Sequence, residues 1–297
     1  VQIVACGTSY HAGLVAKYWI EGLAGMPCQV EIASEYRYRK VVTLPNTLWI
    51  AISQSGETAD VLSALRHLDC EQVAATLAVC NVPTSSLVRE TDLALLTEAG
   101  PEIGVASTKA FTAQLIVLIC LAIVLGRQNG HLDASRVTYL YQKLVKIPGA
   151  VGKSMKLFDS IRPIAHKLKN ARSCLFLGRD TLFPLACEGA LKLKELSYIH
   201  AEGFASGEMK HGPIALLEDG LPIVSFVSED EMALKVISNL KEAEARGGYI
   251  IVIGTQAAVD LIDFAAAKIV IPDCEPIFAP IVGAIPAQIL AYLTALN

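Results

Sequence analysis

The amino-acid sequence predicts an α/β chain built from two tandem, doubly wound parallel-sheet subdomains. Three observations carry this. Short runs such as "LWIAI", "LAVC", "CLFLG" and "IIVIG" are uniformly apolar and partly β-branched, the pattern of parallel strands covered on both faces. They alternate with stretches of helical periodicity, which implies right-handed βαβ crossovers. The whole series of units then occurs a second time in the same order.

The repeat fixes the elements in sequence. "QIVACGTSYHAGLVAKYWIEGL" is answered by "SCLFLGRDTLFPLACEGALKLKEL", Gly7 matching Gly178. "EIASEY" is answered by "GFASGE", Ser34 matching Ser206. "TLWIAISQSGETADVLSAL" pairs with "LPIVSFVSEDEMALKVISNL", and "AATLAVCN" with "YIIVIGT". "STKAFTAQLIVLICLAIVLG" closes the first half as "PIVGAIPAQILAYLTALN" closes the second, Gln114 matching Gln288. The matched residues stand 171, 172 and 174 positions apart. The reading is a first subdomain over 1–130, a helical linker over 131–170 punctuated by Gly126 to Gly130 and Pro148-Gly149, and a second subdomain over 171–297.

Bulk composition agrees with a large core. The chain has 297 residues, 53% hydrophobic and 18% charged, enough for about two domains and too apolar for disorder. A net charge of −4 with no Lys/Arg block excludes a nucleic-acid footprint. Any anionic ligand must therefore be held by local backbone dipoles. The eight cysteines (6, 28, 70, 80, 120, 174, 187 and 274) form no C-x-x-C pair and mostly sit in apolar runs. They read as buried free thiols of a cytoplasmic, reducing compartment, not as a zinc site or disulfide framework. The longest apolar segment, Leu115 to Gly126, reads as a buried helix too short to span a bilayer. The chain starts inside an apparent strand without a signal sequence, as a piece of a longer protein would.

Three strand ends of the first half carry small polar residues: Cys6-Gly7-Thr8-Ser9; Ser53-Gln54-Ser55 with Thr58; and Val105, Ser107 and Thr108. Glycine-containing, hydroxyl-rich turns at helix N-termini suit a phosphate, because unpaired N–H groups and the helix dipole favour negative charge. Each turn by itself is equally explained by helix capping. The counterpart of "SQSGET" is "VSEDEM", whose acids would repel phosphate. The second half offers instead Glu188, Lys192 and Glu195 at i, i+4 and i+7, close to one helix face, followed by His200, Glu202, Glu208, Lys210 and His211. These are open to two readings, a solvated helix with weak ion pairs or a positioned acid–base set. Leu191, Leu193 and Leu196 in "LKLKEL" mean that not all its charges face solvent. His211 beside Gly212-Pro213 sits on a constrained turn suited to a positioned acid or base. Donors in one half and carboxylate, lysine and histidine in the other suit proton shuttling on a phosphorylated carbonyl compound.

The segments "CGTSYHAG", "SQSGETADVL", "CNVPTSSLVRETD", "AGPEIGVASTKAFTAQL", "EGALKLKELSYIHAE" and "GEMKHGPIALL" resemble the glutamine–fructose-6-phosphate aminotransferase (isomerizing) family, also called glucosamine-6-phosphate synthases. The resemblance covers essentially the whole chain and is to the sugar-isomerase half, two SIS subdomains of flavodoxin-like type. It implies conversion of fructose 6-phosphate and ammonia to glucosamine 6-phosphate in hexosamine biosynthesis, without cofactor or metal. It implies that Ser9, Ser53, Gln54, Ser55 and Thr58 hold the sugar phosphate, with Cys6, Gly7, Thr8, Val105 and Ser107 lining the site. Glu195 matches the base, Lys192 an assisting lysine, and His211 the ring-opening histidine contributed by the other subunit of a homodimer.

Family members also carry an N-terminal glutaminase domain with a catalytic cysteine, and a C-terminal tail whose lysine contacts the open-chain sugar. Neither matches a segment of these 297 residues. The chain alone is therefore expected not to hydrolyse glutamine and to lack full synthase activity. Neither nucleic acid nor membrane is an expected partner. Two other readings stand beside this one. A stand-alone SIS aldose–ketose isomerase or deaminase would not call for "ASTKAFT" and "GEMKHGP" together. A non-catalytic sugar-phosphate sensor would keep "SQSGET" and lose Glu195, Lys192 and His211.

Overall fold

The structure, a computed structural model, describes residues 1–69 and 71–297. It divides into two packing units, Val1–Thr138 and Tyr139–Asn297.

The first unit alternates strands and helices. β1 (Gln2–Ala5), α1 (Gly7–Ala24), β2 (Gln29–Ile32), α2 (Ala33–Tyr36), β3 (Thr47–Ser53) and α3 (Ala59–Arg66) come first. β4 (Val73–Cys80), α4 (Ser86–Glu90), β5 (Leu93–Leu96) and α5 (Lys109–Gln128) follow. All pairings are parallel and the strand order is β2-β1-β3-β4-β5. β1 and β3 are buried on both faces, as their continuous apolar runs require. The edge strand β5 differs: its four residues are exposed although three are leucines. One side of the sheet buries Val4, Trp49 and Ala51 with Leu62 and Leu65 of α3 and Leu87 of α4. α1 packs on α5.

α6 (Ala134–Leu144) carries the chain across the division between units. In the second unit, α7 (Ile147–Ser154) and α8 (Phe158–Leu168) precede β6 (Ser173–Gly178), α9 (Leu182–Ser197), β7 (His200–Ala205) and β8 (Pro222–Phe226). α10 (Ala233–Glu244), β9 (Tyr249–Gly254), α11 (Gln256–Asp260), β10 (Ala267–Val270) and α12 (Ala279–Ala295) complete it. Short 3-10 turns occupy Ser206–His211, Pro213–Leu216 and Pro276–Phe278. This sheet is also wholly parallel, ordered β10-β9-β8-β6-β7. Read from the other edge, it is the order of the first sheet repeated. α7 and α8 both pack on α12, and α9 packs on α12 and β7. Gly203 permits the last contact, since a Cβ there would stand 2.5 Å from Cys187 Cα.

One sequence expectation needs correction. The apolar run from Leu115 to Gly126 is only part of α5, which spans 20 residues and is long and apolar enough to cross a membrane by length and composition. The same holds for Pro276–Ala295. Half of the most apolar window of α5, and 78% of that of Pro276–Ala295, is nevertheless buried within the fold. Polar Lys109, Thr112 and Gln114 at the start of α5 hid its length in the sequence.

The seven described cysteines are free; Cys70 lies outside the described residues. Burial pushes the Cys28 thiol to about 12 and the Cys187 and Cys274 thiols to about 11, and raises Cys174 further. These are neutral thiols at physiological pH.

Candidate active site

In the first sheet the chain reverses its direction of winding between β1 and β3, which are neighbours. Ligands of open α/β sheets bind beyond the strand ends at such a reversal. The two turns there are Cys6–Ser9, entering α1, and Ser53–Thr58, entering α3.

The second turn is built from its hydroxyls. Ser53, 3% exposed, accepts the Gly56 N–H at 3.0 Å and lies 3.0 Å from Thr58 Oγ1. Ser55 Oγ accepts the Glu57 N–H at 3.2 Å. The Gln54 carbonyl accepts the Asn81 N–H. Gly56 has φ +68°, and a Cβ there would meet Ser85 Oγ at 2.2 Å and Cys80 Sγ at 2.7 Å, so only glycine lets the turn press against α4. Glu57 reaches away to accept the Ser86 N–H at 2.7 Å. That amide holds its carboxyl below the usual glutamate range. Thr58, the N-cap of α3, makes no side-chain cap bond, and neither does Cys6 at α1. Capping therefore does not account for these serines: they shape the turn, and the first amides of both helices are left without a capping side chain.

In the first turn, burial raises the Cys6 thiol more than the nearby amides of Ser34 and Ala33 lower it, which fits a wall residue and not a nucleophile. Gly7 is exposed with φ +53°, Thr8 is half-buried, and Ser9 is buried. Ser9 Oγ accepts from Gln114 Nε2 of α5 at 3.0 Å.

The third turn differs. Val105 is fully exposed and Ser107 half-buried in the loop before α5. Here Glu102 caps the helix, accepting the Ala110 N–H at 2.9 Å and the Thr108 hydroxyl at 3.2 Å. A carboxylate thus already occupies the place a phosphate would take at α5. Sequence reading missed both Glu102 and Gln114. Glu102 lies eight residues before its amide, outside any capping-box spacing, and Ser9 and Gln114 are 105 residues apart. Two clefts of about 430 Å³ lie elsewhere, one walled by Lys17, Glu31 and Arg39 and one by Lys143, Glu229 and Cys274. Neither includes a residue of the three turns.

The matching turn of the second unit spends its acids on itself. Asp230 accepts the Met232 N–H at 2.8 Å and the Ser228 hydroxyl, while Glu229 accepts the Thr255 hydroxyl. The same strand–helix junction is closed by carboxylates instead of neutral donors.

The polar face of α9 is mostly buried. Lys192 is 1% exposed, with Nζ 2.6 Å from Glu195 Oε2 and 3.5 Å from Glu188 Oε1. Glu188 is 2% exposed and the Glu195 side chain 36%. One ammonium thus bridges a sealed carboxylate and one that reaches water, and its short bond orients the second. Spacing of i+3 and i+4 placed these groups together, and burial decides against the solvated-helix reading. His211 ends the turn Ser206–His211 and is exposed, next to Gly212 at φ +142°. The turn is pinned by Ser206 Oγ donating to the Gly178 carbonyl at 3.1 Å, by buried Met209, and by the Lys210–Glu242 ion pair. Among the described residues, His211 makes no hydrogen bond or ion pair with Lys192 or Glu195.

Comparison with known proteins agrees with the topology. The SIS domain family matches residues 1–124 and 167–297, one segment in each half. Glutamine–fructose-6-phosphate aminotransferase [isomerizing] of Pseudomonas syringae pv. tomato is 52% identical over 295 residues, covering 99% of this chain and 48% of that protein. The chain spans about half the length of the curated relatives it matches. Among solved structures, the C-terminal domain of glucosamine-fructose-6-phosphate aminotransferase from Francisella tularensis superposes with TM-score 0.97 at 46% identity, covering 99% of this chain and 83% of that one. Glucosamine-6-phosphate deaminase from Thermotoga maritima gives TM-score 0.78 at 25% identity, covering 99% and 84%. The chain belongs to the SIS domain family, in the group that includes the C-terminal domain of glucosamine-fructose-6-phosphate aminotransferase.

Proposed function

We propose that the chain is the sugar-isomerase half of a glutamine–fructose-6-phosphate aminotransferase, joining fructose 6-phosphate to ammonia with loss of water to give glucosamine 6-phosphate. The observation that carries this reading is the buried Lys192 bound 2.6 Å from the half-exposed carboxylate of Glu195, in the same chain as the neutral donor turn Ser53–Thr58.

In this reading Ser9, Ser53, Gln54, Ser55 and Thr58 hold the sugar phosphate, helped by the uncapped amides of α1 and α3. Cys6, Gly7, Thr8, Val105 and Ser107 line the sugar. His211, supplied by the second subunit of a homodimer, protonates the ring oxygen as the C2 carbonyl forms. Ammonia, delivered by a glutaminase domain of the parent protein, adds at C2 and water leaves, giving a C2 imine. Glu195 removes a C1 proton as the imine nitrogen gains one. It then returns the proton to C2, and the C1 hydroxyl loses its proton to leave an aldehyde beside the amine. A carboxylate at the water boundary, oriented by a fixed ammonium, suits a base that must work on both carbons. The site is cytoplasmic in this reading, in keeping with the neutral buried thiols.

A stand-alone deaminase is the second reading, supported by the likeness to the Thermotoga maritima deaminase. Incubation with fructose 6-phosphate, with and without ammonium, separates them. The synthase-half reading expects glucose 6-phosphate without ammonium and, when flanking segments of the parent protein are present, glucosamine 6-phosphate with it. Net conversion of glucosamine 6-phosphate to fructose 6-phosphate as the dominant activity would favour the deaminase. Binding without turnover in either direction would leave a sensor.

A further inference from the structure

Gln114 of α5 and Ser9 of α1 form a buried hydrogen-bonded pair. Gln114 is 1% exposed and Ser9 9%. Gln114 Nε2 donates to Ser9 Oγ at 3.0 Å, and Gln114 Oε1 is buried with no hydrogen-bond partner among the described residues. An orphaned buried acceptor is destabilising, so a side chain that leaves one calls for a reason outside packing. The second half keeps a glutamine, Gln288, at the matching position but has Asp180 where Ser9 falls. It builds the same strand order without a serine at that place.

The direction of the bond supplies the reason. A serine hydroxyl has one proton to give and two lone pairs. Inside a helix it ordinarily gives the proton to a carbonyl one turn back. Ser9 makes no such bond; its oxygen is engaged as an acceptor by Gln114. The proton is left uncommitted in the first turn of α1, beside the Cys6–Thr8 turn at the winding reversal. With the amide turned the other way, Ser9 would donate into Oε1 and both N–H groups of Gln114 would lack the bond that one of them now makes.

We propose that Gln114 is a positioning residue that holds the Ser9 hydroxyl as a hydrogen-bond donor to the sugar phosphate, its own carbonyl being left unpaired for that purpose. This rests on the reading of the Cys6–Ser9 and Ser53–Thr58 turns as the sugar-phosphate site.

The test is a binding and stability cycle with fructose 6-phosphate as probe, using Gln114→Met, Ser9→Ala, the double variant, and Ser55→Ala as the control for the site itself. Gln114→Met keeps the volume and removes both the donor and the orphaned acceptor. The expected result is a Tm equal to or above that of the parent, with Kd and KM raised roughly three- to tenfold and kcat retained. The double variant should bind no more weakly than Ser9→Ala alone, because Gln114 acts through that hydroxyl. A Gln114→Met chain that loses Tm or fails to fold while Ser9→Ala binds normally would overturn the proposal, since the glutamine would then serve the fold. Additive losses in the double variant would overturn it as well. If Ser55→Ala weakens binding and the other variants do not, the positioning claim fails and the site survives. If Ser55→Ala also leaves affinity unchanged, the site reading itself fails.

Discussion

Lys192 Nζ lies 2.6 Å from Glu195 Oε2 while Lys192 itself is almost wholly sealed from water. Glu188, 3.5 Å from the same ammonium, is sealed as well. A charge network of this kind is costly to bury and costlier to break, because removing one member strands another.

Lys192→Met should therefore destabilise the second unit by about 3–5 kcal/mol, chiefly by removing a cation that faces the buried Glu188 carboxylate. Adding Glu188→Gln should recover more than half of that loss. Denaturant unfolding of the three variants reads this directly. A Lys192→Met chain as stable as the parent would mean that the pair does not hold the buried carboxylate.

Gly56 tests the turn without touching a donor. Its φ of +68° and the 2.2 Å approach to Ser85 Oγ leave no room for a methyl group. Gly56→Ala should cost more than about 2 kcal/mol from combined strain and overpacking and should weaken fructose 6-phosphate binding. Unfolding and calorimetric binding measure the two effects. Full affinity in a destabilised variant would separate the turn from the site.

Glu57 ties the turn to α4 through the Ser86 amide, which lowers its pKa below the ordinary 4.5. Its contribution to stability is thus fully present above pH 4.5 and is lost as pH falls through the depressed folded value. Protection of the Ser86 amide against hydrogen exchange should fall in that acid window, and Glu57→Gln should remove the pH dependence. A Ser86 transition centred at or above pH 4.5 would contradict the bond.

"LWIAI" and "CLFLG" announced β3 and β6 because central parallel strands are apolar on both faces. The internal repeat announced that both sheets share one order. Helical spacing placed Glu188, Lys192 and Glu195 together. What stayed hidden depends on tertiary packing. Nothing local tells that Ser53 bonds Gly56 instead of capping α3, or that Glu102 caps α5 from eight residues away. The packing of α7 and α8 on α12 is equally invisible, since their partner is more than a hundred residues further on.

The central claim is that Glu195 moves the proton between C1 and C2 of a sugar phosphate. The most direct measurement is conversion of fructose 6-phosphate to glucose 6-phosphate by the parent chain and by Glu195→Gln, with binding followed in both. Loss of about 10²–10⁴-fold in turnover, with Tm and fructose 6-phosphate affinity close to the parent's, is the predicted result. Equal turnover in the folded Glu195→Gln variant would contradict the account.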